Sequence, residues 1–393
     1  MTARVYLDWN ASAPLRPAVR EAMAAALELC GNPSSVHGEG RAARRLVEDA
    51  RGEVGALVGA DPRNVIFTSG GTEANVLALS PAIQVDGDKR PVERLLVSAI
   101  EHPSVLAGGR FEPSSSERIE VDATGKVDLG ALEQRLERLA REHVRVMVSL
   151  MAANNETGVI QPVTEAAEIV HRHGGLLHVD GVQAAGRIAV DIDALGAHLL
   201  TLSAHKLGGA KGAGALVKRD EALHIVEPLI RGGGQERGSR AGTENVAAIA
   251  AFGAAAAECR TLLAVEAARM VALRERLEAG LCVVTPEAII FGADTERLPN
   301  TTLVAMPGGK AETLVIGFDL DGVAVSSGAA CSSGKVAPSH VLAAMGVPAE
   351  LARGAIRVSL GPTTTEAEID RFLNVWQRLT KSLSKGVKPG LAA

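Results

Sequence analysis

Short apolar runs alternate with longer amphipathic stretches along this chain, and that alternation restricts the fold more than any other feature. The runs are rich in leucine, valine and isoleucine, and turn-forming or charged residues bound each of them, as expected of buried strands. They are Val65–Thr68, Arg94–Ser98, Val144–Leu150, Leu176–Asp180, Leu199–Ser203 and Gly214–Lys218. Gly40–Val58 and Val163–His173, between them, are predicted to be helices. This alternation predicts an α/β fold with a largely parallel sheet, whose sites lie at the carboxyl ends of the strands.

The pattern changes after a long helical region that runs from Glu244 to about Gly280 and is rich in Ala, Leu, Glu and Arg. Beyond it the helical stretches become fewer and glycines separate short strands, which predicts a smaller second domain. The length of 393 residues allows either one compact unit or two domains. We expect the last residues, Ser384–Ala393, to form a frayed tail.

Composition and charge exclude several classes of function. Hydrophobic residues make up 47% of the chain and charged residues 22%, and the net charge of −5 includes no long basic run. This argues against nucleic acid or an anionic membrane surface as the main partner. The N-terminus, Met1–Pro17, contains no apolar signal-peptide core, and the most continuous apolar stretch, Val246–Ala257, is too short to span a bilayer. We therefore expect a cytoplasmic protein.

Four cysteines, Cys30, Cys259, Cys282 and Cys331, lie far apart without a CxxC pair, which suits a reducing compartment rather than a disulfide framework or a zinc site. The first three lie on helical or apolar runs and are expected to be core residues. Cys331 differs, because Ser326–Lys335 surrounds it with small residues that provide no apolar wall. Such a loop suits a nucleophile that meets a substrate and carries a group away. Since an ordinary thiol has a pKa of about 8.5, a nearby proton acceptor is implied.

The segment Thr68–Asn75 suggests a phosphate-binding site, because it follows a predicted strand and begins a predicted helix. Unpaired N–H groups at a helix N-terminus favour an anion, and Gly70 and Gly71 allow the backbone to approach it closely. The alternative is an ordinary strand–turn–helix with Thr72 as the N-cap.

Two further strands end in residues that suggest an aldehyde cofactor. Lys206 lies in Ser203–Gly209, and a lysine placed directly after a strand, beside a hydroxyl, an imidazole and glycines, can form a Schiff base. Asp180 ends the strand Leu176–Asp180, where a carboxylate is rarely buried without a partner. Pyridoxal-5′-phosphate (PLP) needs such an acid at its ring nitrogen, and Gln183 could reach the ring's phenolic oxygen. A solvated loop lysine and a helix-capping aspartate are the alternatives.

Arg357 lies within the apolar run Ala355–Ser359, where its charge needs a counter-ion. That counter-ion is either a substrate carboxylate or a structural salt bridge. Two weaker candidates are the polar, glycine-rich stretch 232–243 and His102, which follows a predicted strand.

Together these segments resemble the NifS/IscS-type cysteine desulfurases, fold type I PLP enzymes related to the class V aminotransferases. The likeness covers nearly the whole chain, from Tyr6–Asp8 to Arg357–Gly361, and the motifs have the order and spacing of that family. It implies a large PLP-binding domain of residues 15–265 with a mostly parallel, seven-stranded sheet. It also implies a smaller α+β domain, formed by residues 1–14 and 266–393, that carries the Cys331 loop.

The resemblance implies a role for each motif. Lys206 is similar to the family's Schiff-base lysine, Asp180 to the partner of the pyridine nitrogen and Gln183 to that of the ring oxygen. His102 would stack on the ring and move protons. The residues expected to bind the phosphate are Gly71, Thr72, Ser203, His205 and, in a homodimer, Thr243 of the partner subunit.

Substrate binding follows from the same likeness. Asn155 and Arg357 would bind the carboxylate of L-cysteine, with Asn155 also contacting the cofactor, and Asn32 and His37 belong to the segment that lines the substrate entrance in the family. Cys331 would attack the substrate sulfur and pass the resulting persulfide to an iron–sulfur scaffold or another acceptor protein. A transient role of Cys331 as an iron–sulfur ligand is also implied.

The long Cys331 loop resembles the subgroup that supplies iron–sulfur scaffolds, and Ser332–Lys335 with Pro338–His340 is closer to the nitrogen-fixation type than to the housekeeping type. One departure from the family is Trp9–Ala13, which we expect to contact none of the residues assigned above. Three alternatives stay open: a selenocysteine lyase, another class V PLP enzyme such as a transaminase, and a non-enzymatic sulfur-relay protein. A transaminase gives the thiol no role, and a relay protein leaves Lys206 and Asp180 unexplained.

Overall fold

The computed structural model describes residues 4–328 and 338–386 of the chain. Its α-helices in these ranges are α1 (Pro17–Leu27), α2 (Gly38–Leu57), α3 (Gly71–Ala78), α4 (Pro103–Leu106), α5 (Leu129–Arg141), α6 (Val163–Arg172), α7 (Val246–Val284), α8 (Ala311–Leu320), α9 (His340–Ala344), α10 (Ala349–Ala352) and α11 (Glu366–Gly386). The strands are β1 (Val5–Tyr6), β2 (Val65–Thr68), β3 (Ile83–Val85), β4 (Arg94–Ser98), β5 (Ser116–Ile119), β6 (Val146–Met151), β7 (Leu176–Asp180), β8 (Leu199–Ser203), β9 (Gly214–Lys218), β10 (Leu223–Ile225), β11 (Ile289–Ile290), β12 (Thr301–Ala305), β13 (Val323–Ala324), β14 (Ser326–Ser327) and β15 (Ala355–Ser359).

Seven strands form the central sheet, in the order β2-β9-β8-β7-β6-β4-β5. The strands β5, β4, β6, β7 and β8 run parallel to one another, whereas β9 is antiparallel to both β8 and β2. The strands β6, β7 and β8 are buried along their whole length. Strands covered on both faces have continuous apolar sequences, which explains their lack of alternation. The predicted α/β fold with a mostly parallel, seven-stranded sheet is confirmed.

Two element boundaries differ from the sequence prediction. The strand predicted at Val144–Leu150 begins only at Val146, and the side chain of Arg145 instead donates to the carbonyl of Ile83 (3.4 Å). Helix α11 continues to Gly386, so the tail predicted from Ser384 is still helical there, and residues 387–393 lie outside the described part of the chain. Helix α11 is held to the fold by buried aromatic residues such as Trp376, whose indole N–H donates to Thr285 (3.0 Å).

Helix α7 has 39 residues and contributes to two of the protein's hydrophobic cores. Its alanine-rich first half packs against α1 and α2, where a Cβ atom at Gly253 would lie only 2.5 Å from the Cα of Ala50. Among the helices described, it is the one long and apolar enough to cross a membrane, but 56% of its most apolar 18-residue stretch is buried inside the fold. Its length and apolarity are therefore accounted for by core packing.

A second, antiparallel sheet has the strand order β11-β12-β15-β14 and packs with α8 and α11. The core between this sheet and the helices includes the stacked rings of Phe318 and Phe372, whose centroids are 4.7 Å apart. Strand β1 pairs in parallel with β13, so the start of the chain joins this smaller α+β unit. Because α7 runs unbroken through position 265, the exact domain bounds, 15–265 with 1–14 and 266–393, stay a prediction.

Candidate active site

Loops at the carboxyl ends of the central strands enclose a cavity of about 260 Å³. Ten of the predicted site residues line it: Gly71, Thr72, His102, Asn155, Asp180, Gln183, Ser203, His205, Lys206 and Arg357. The strands that precede most of them are parallel, so their carboxyl ends meet at the same edge of the sheet. The fold therefore brings together residues that are as far apart in sequence as Gly71 and Arg357.

Asp180, at the end of β7, is buried, and each of its carboxylate oxygens accepts one hydrogen bond. Its Oδ1 accepts from the backbone N–H of Val182 (3.0 Å), and its Oδ2 accepts from Nδ2 of Asn75 (2.9 Å). Asn75 lies on α3, the helix that also begins the predicted phosphate site. A carboxylate can accept about four hydrogen bonds, so Asp180 retains capacity for a ring N–H in the cavity.

His102 is held in one tautomer by its neighbours. Its Nδ1 accepts from the backbone N–H of Ser104 (3.1 Å) and lies 2.8 Å from Ser104 Oγ. Asn75 Nδ2 donates to the same hydroxyl oxygen (2.9 Å), which leaves the hydroxyl proton for Nδ1. These bonds assign the proton of the neutral ring to Nε2. Burial lowers the pKa of His102, the charges of Lys206 and His340 lower it further, and Asp180 opposes them.

Lys206 is oriented by the N-terminal segment. Its Nζ donates to the carbonyl oxygens of Asn10 (2.6 Å) and Ala11 (2.9 Å). Gln183 Nε2 also donates to the Asn10 carbonyl (3.2 Å), and Ser12 Oγ lies 3.3 Å from Nδ1 of His205. The expectation that Trp9–Ala13 contacts no assigned residue is therefore wrong. The physical reason is the pairing of β1 with β13, which carries this segment from the smaller unit to the cavity.

Four of the five predicted phosphate residues lie together, because Gly71, Thr72, Ser203 and His205 line the cavity and also an adjoining cleft of about 410 Å³. Helix α3 begins at Gly71, with Gly70 as its N-cap, so Thr72 is not the cap, and the first N–H groups have no partner inside the helix. A Cβ atom at Gly71 would lie 3.1 Å from Val182 Cγ2 and 3.3 Å from Ser203 Cβ, which would fill this space. Burial, with nearby Lys206, lowers the pKa of His205 to about 4, so its ring is neutral at pH 7.

Arg357, on β15, forms one of the two interactions that the sequence left open and also lines the cavity. Its guanidinium is almost fully buried and binds the Asp8 carboxylate through Nη2 (2.9 Å), which is the structural salt bridge. Its Nη1 donates to the carbonyl of Asn155 (2.9 Å). The same guanidinium lines the cavity, where a substrate carboxylate could reach it. The salt bridge thus fixes the position of a cation beside the site.

Several predicted site residues do not line this cavity. Asn32 and His37 are exposed, and His37 caps α2 through an Nδ1 that accepts from the N–H of Gly40 (3.3 Å). Thr243 is also exposed, on the segment that precedes α7. Cys331 lies outside the described residues. Within the described ranges no group of three or more His, Cys, Asp or Glu side chains could hold a metal ion. The roles predicted for these residues stay predictions.

The expectation of core positions is correct for Cys259 but wrong for Cys30 and Cys282, which are exposed. Cys30 lies beyond the end of α1. Cys282 follows the buried Leu281 on α7, but each residue of a helix turns by about 100°, so the next side chain leaves the core.

Sequence reasoning missed three residues that support the site. Ser104 lies two positions after His102, and Asn75 ends the quoted motif Thr68–Asn75, so both were within reach of a local argument. Asp8 had no local signal, because its contact with Arg357 is made across 349 positions of sequence.

Comparison with known proteins places the chain among close relatives. Residues 5–372 match the family described as aminotransferase class-V. A cysteine desulfurase of Cereibacter sphaeroides is 45% identical over 95% of this chain and 94% of its own length. The cysteine desulfurase NifS of Azotobacter vinelandii is 38% identical over 94% and 91% of the two chains. The crystal structure of a NifS-like protein from Rickettsia africae is 36% identical and superimposes with a TM-score of 0.85 over 96% of this chain and 99% of its own.

Proposed function

The chain belongs to the class-V aminotransferase family and, within it, to the cysteine desulfurases, and on that basis we propose that it removes sulfur from L-cysteine with the help of PLP. The products are L-alanine and a persulfide on Cys331, which passes to an acceptor such as an iron–sulfur scaffold protein. One observation carries the proposal: Lys206 and Asp180 share a cavity with Gly71 and Thr72 at the start of α3.

These residues fit the three groups of PLP that an enzyme must bind. The Lys206 amine suits the aldehyde, the Asp180 carboxylate suits the ring nitrogen, and the N-terminus of α3 with Ser203 and His205 suits the phosphate. The cavity at Gly71 would be filled by a Cβ atom, which is the mark of a close backbone approach. When bound, PLP supplies an electron-withdrawing ring that acidifies the substrate Cα–H bond and weakens its C–S bond.

The remaining chemistry belongs to side chains of the chain itself. Arg357 binds the substrate carboxylate, and Lys206 Nζ, held beside the carbonyls of Asn10 and Ala11, removes the Cα proton. His102 exchanges protons through Nε2, because its Nδ1 is engaged by Ser104.

The sulfur step assigned to Cys331 balances without an external oxidant. The Cys331 thiolate forms an S–S bond to the substrate sulfur while the substrate C–S bond breaks, and the carbon takes up a proton to give alanine. One thiol and one cysteine thus become one persulfide and one alanine. The acceptor protein then takes the outer sulfur atom by attack of its own thiolate.

A cytoplasmic homodimer is part of the proposal. The segment before Thr243 exposes the apolar side chains Val226, Leu229 and Ile230, which a second subunit would cover while Thr243 reaches the partner's phosphate site. Cys30, Cys259 and Cys282 are unpaired, as suits a reducing compartment. Light scattering of the purified protein should give twice the chain mass of 40.6 kDa, and a monomer would remove Thr243 from the proposed site.

The decisive experiment is Cys331→Ala, with Cys282→Ala, which changes an exposed cysteine, as the matched control. The Cys331 variant should keep the visible absorbance of bound PLP and should bind cysteine, but should release neither alanine nor sulfide. Mass spectrometry of wild-type protein after brief exposure to cysteine should show one added sulfur on the Cys331 peptide. If Cys331→Ala releases alanine at the wild-type rate, the thiol is not the sulfur carrier. Parallel turnover of selenocysteine separates a desulfurase from a selenocysteine lyase.

A further inference from the structure

Glu156 is a buried carboxyl group for which the proposed function has no use. It lies in the loop after β6, directly after Asn155, and is 2% exposed. Its Oε2 accepts a hydrogen bond from Ser339 Oγ at 2.6 Å. Burying a carboxyl group costs free energy unless its partners compensate, so a group kept here needs a structural or functional reason.

The neighbours of Glu156 include residues at both ends of the segment that contains Cys331. Ser326 and Ser327 form β14, which pairs with β15 next to Arg357, and Gly328 follows them. A Cβ atom at Gly328 would lie 3.1 Å from Glu156 Oε2 and 3.9 Å from Ser339 Cβ, so a side chain at this position would press against the carboxyl group. Glu156 is therefore hydrogen-bonded to Ser339, shortly after Cys331, and lies close to Gly328, the last described residue before it.

The second end is held at two further points. Ser339 Oγ accepts from the backbone N–H of Leu342 (3.0 Å), which caps α9. His340 Nε2 lies 2.9 Å from the carbonyl oxygen of Glu101, the neighbour of His102. The hydroxyl of Ser339 thus links the start of a helix to Glu156, and His340 links the same end to the residue before His102.

The electrostatic surroundings are consistent with a group that titrates near neutrality. Burial raises the pKa of Glu156 to about 7, while the hydrogen bond from Ser339 and the positive charge of Arg357 oppose that rise. Arg357 is the cation proposed to bind the substrate carboxylate, so Glu156 interacts both with a residue of the proposed substrate site and with Ser339.

We propose that Glu156 is a positioning residue for sulfur transfer, which ties both ends of the Cys331 segment to each other beside Arg357. The inference rests on the proposed function, because it assigns Glu156 a part in the Cys331 step. It acts through Ser339 and Gly328 and does not itself contact the substrate sulfur.

The length of chain involved explains why such a tie matters. Cys331 is only three residues from Gly328 and eight from Ser339 in sequence, so the positions of these two residues limit the distance that its thiol can reach. Holding Gly328 and Ser339 at fixed positions raises the effective concentration of the thiol at the substrate, whereas a misplacement of about 1 Å can cost a hundredfold in rate.

The test is a double-mutant cycle of Glu156→Leu and Ser339→Ala, with each single variant, in the PLP-loaded protein. Single-turnover formation of the Cys331 persulfide, followed by mass spectrometry, should fall by roughly ten- to hundredfold in each single variant. The double variant should be no slower than the slower single one, because both changes remove the same bond. Ser339→Ala also removes the N-cap of α9. Because this loss occurs both in the single Ser339→Ala variant and in the double variant, it does not contribute to the coupling between the two changes.

Two further readouts separate positioning from simple loss of structure. The absorbance of bound PLP should stay unchanged, and alkylation of Cys331 by iodoacetamide in the absence of cysteine should not slow. Thr157→Val is the matched control, a buried neighbour bonded to Asn154 (3.3 Å), and should stay within about threefold of wild type. Persulfide rates of the single variants within threefold of wild type, or effects that multiply in the double variant, would overturn the inference. A wild-type protein that forms no persulfide would instead overturn the proposed function.

Discussion

The buried ion pair between Arg51 and Glu236 gives the sharpest prediction about stability. Arg51 lies on α2, and Glu236 lies on the glycine-rich segment that leads to Thr243. Arg51 Nη1 and Nη2 contact the two carboxylate oxygens at 2.7 and 2.9 Å, and Glu236 Oε2 also accepts the backbone N–H of Phe67 (2.9 Å). This pair attaches the segment to β2, the first strand of the central sheet.

Glu236→Ala should destabilise the protein by about 3 kcal/mol. Both side chains are at most 5% exposed, and removal of one partner from a buried pair costs about 3–5 kcal/mol, because a charge is left without compensation. The lower end applies, since Glu48 remains 3.2 Å from Arg51 Nε. Replacing both partners with apolar residues, Arg51→Met with Glu236→Leu, should cost less, about 1–2 kcal/mol. This remaining cost arises because the buried backbone N–H of Phe67 loses its acceptor.

Urea-induced unfolding of the PLP-loaded variants, followed by far-UV circular dichroism, measures both changes through the shift in midpoint. The control is Arg141→Ala, which removes an exposed ion pair with Glu137 and should cost less than about 0.5 kcal/mol. The reasoning would be refuted if Glu236→Ala cost under 1 kcal/mol, or if the double variant were less stable than the single one. Either result would mean that the charge of Arg51 is not desolvated as the structure indicates.

Three further predictions concern the cavity. Lys206→Ala should abolish the visible absorbance of bound PLP, since Lys206 is the one lysine lining the cavity in the described ranges, and a band that borohydride still fixes to the chain would reassign it. Asp180→Ala should lower turnover by roughly 10²- to 10⁴-fold while weakening PLP retention far less, whereas near-native turnover would mean that another group protonates the ring. Ser104→Ala should raise the pKa of His102, because it removes a donor to the unprotonated Nδ1, and should move the acidic limb of the pH–activity profile upward. Ser104→Thr keeps the hydroxyl and should keep the wild-type profile.

The residues that end strands could be predicted from sequence, because position along a strand decides where a side chain emerges. Asp180, Ser203 and the residues after Thr68 all follow apolar runs, and parallel strands end at a common edge. Periodicity and turn signals are local, so they suffice to locate these residues without knowledge of the rest of the fold.

Residues that complete the site from elsewhere were not predictable in this way. The carbonyl oxygens of Asn10 and Ala11 bind Lys206 because β1 pairs with β13, and backbone acceptors carry no sequence signal at all. The exposure of Cys30 and Cys282 has a similar origin, since it depends on which side of a helix or loop the neighbouring elements cover.

Arg357 shows where the two kinds of inference meet. A guanidinium in an apolar strand requires a counter-ion, and that requirement is visible in five residues of sequence. The identity of the counter-ion is not visible there, because Asp8 lies 349 positions away and is brought into contact by long-range pairing of the chain, including the bridge between Asp8 and Ser359. The salt bridge does not exclude the substrate role: a cation held by Asp8 on one side and by the Asn155 carbonyl on another is fixed in place before any substrate carboxylate arrives. Local sequence therefore states the electrostatic requirement of a site, and the long-range pairing of the chain decides which residue meets it.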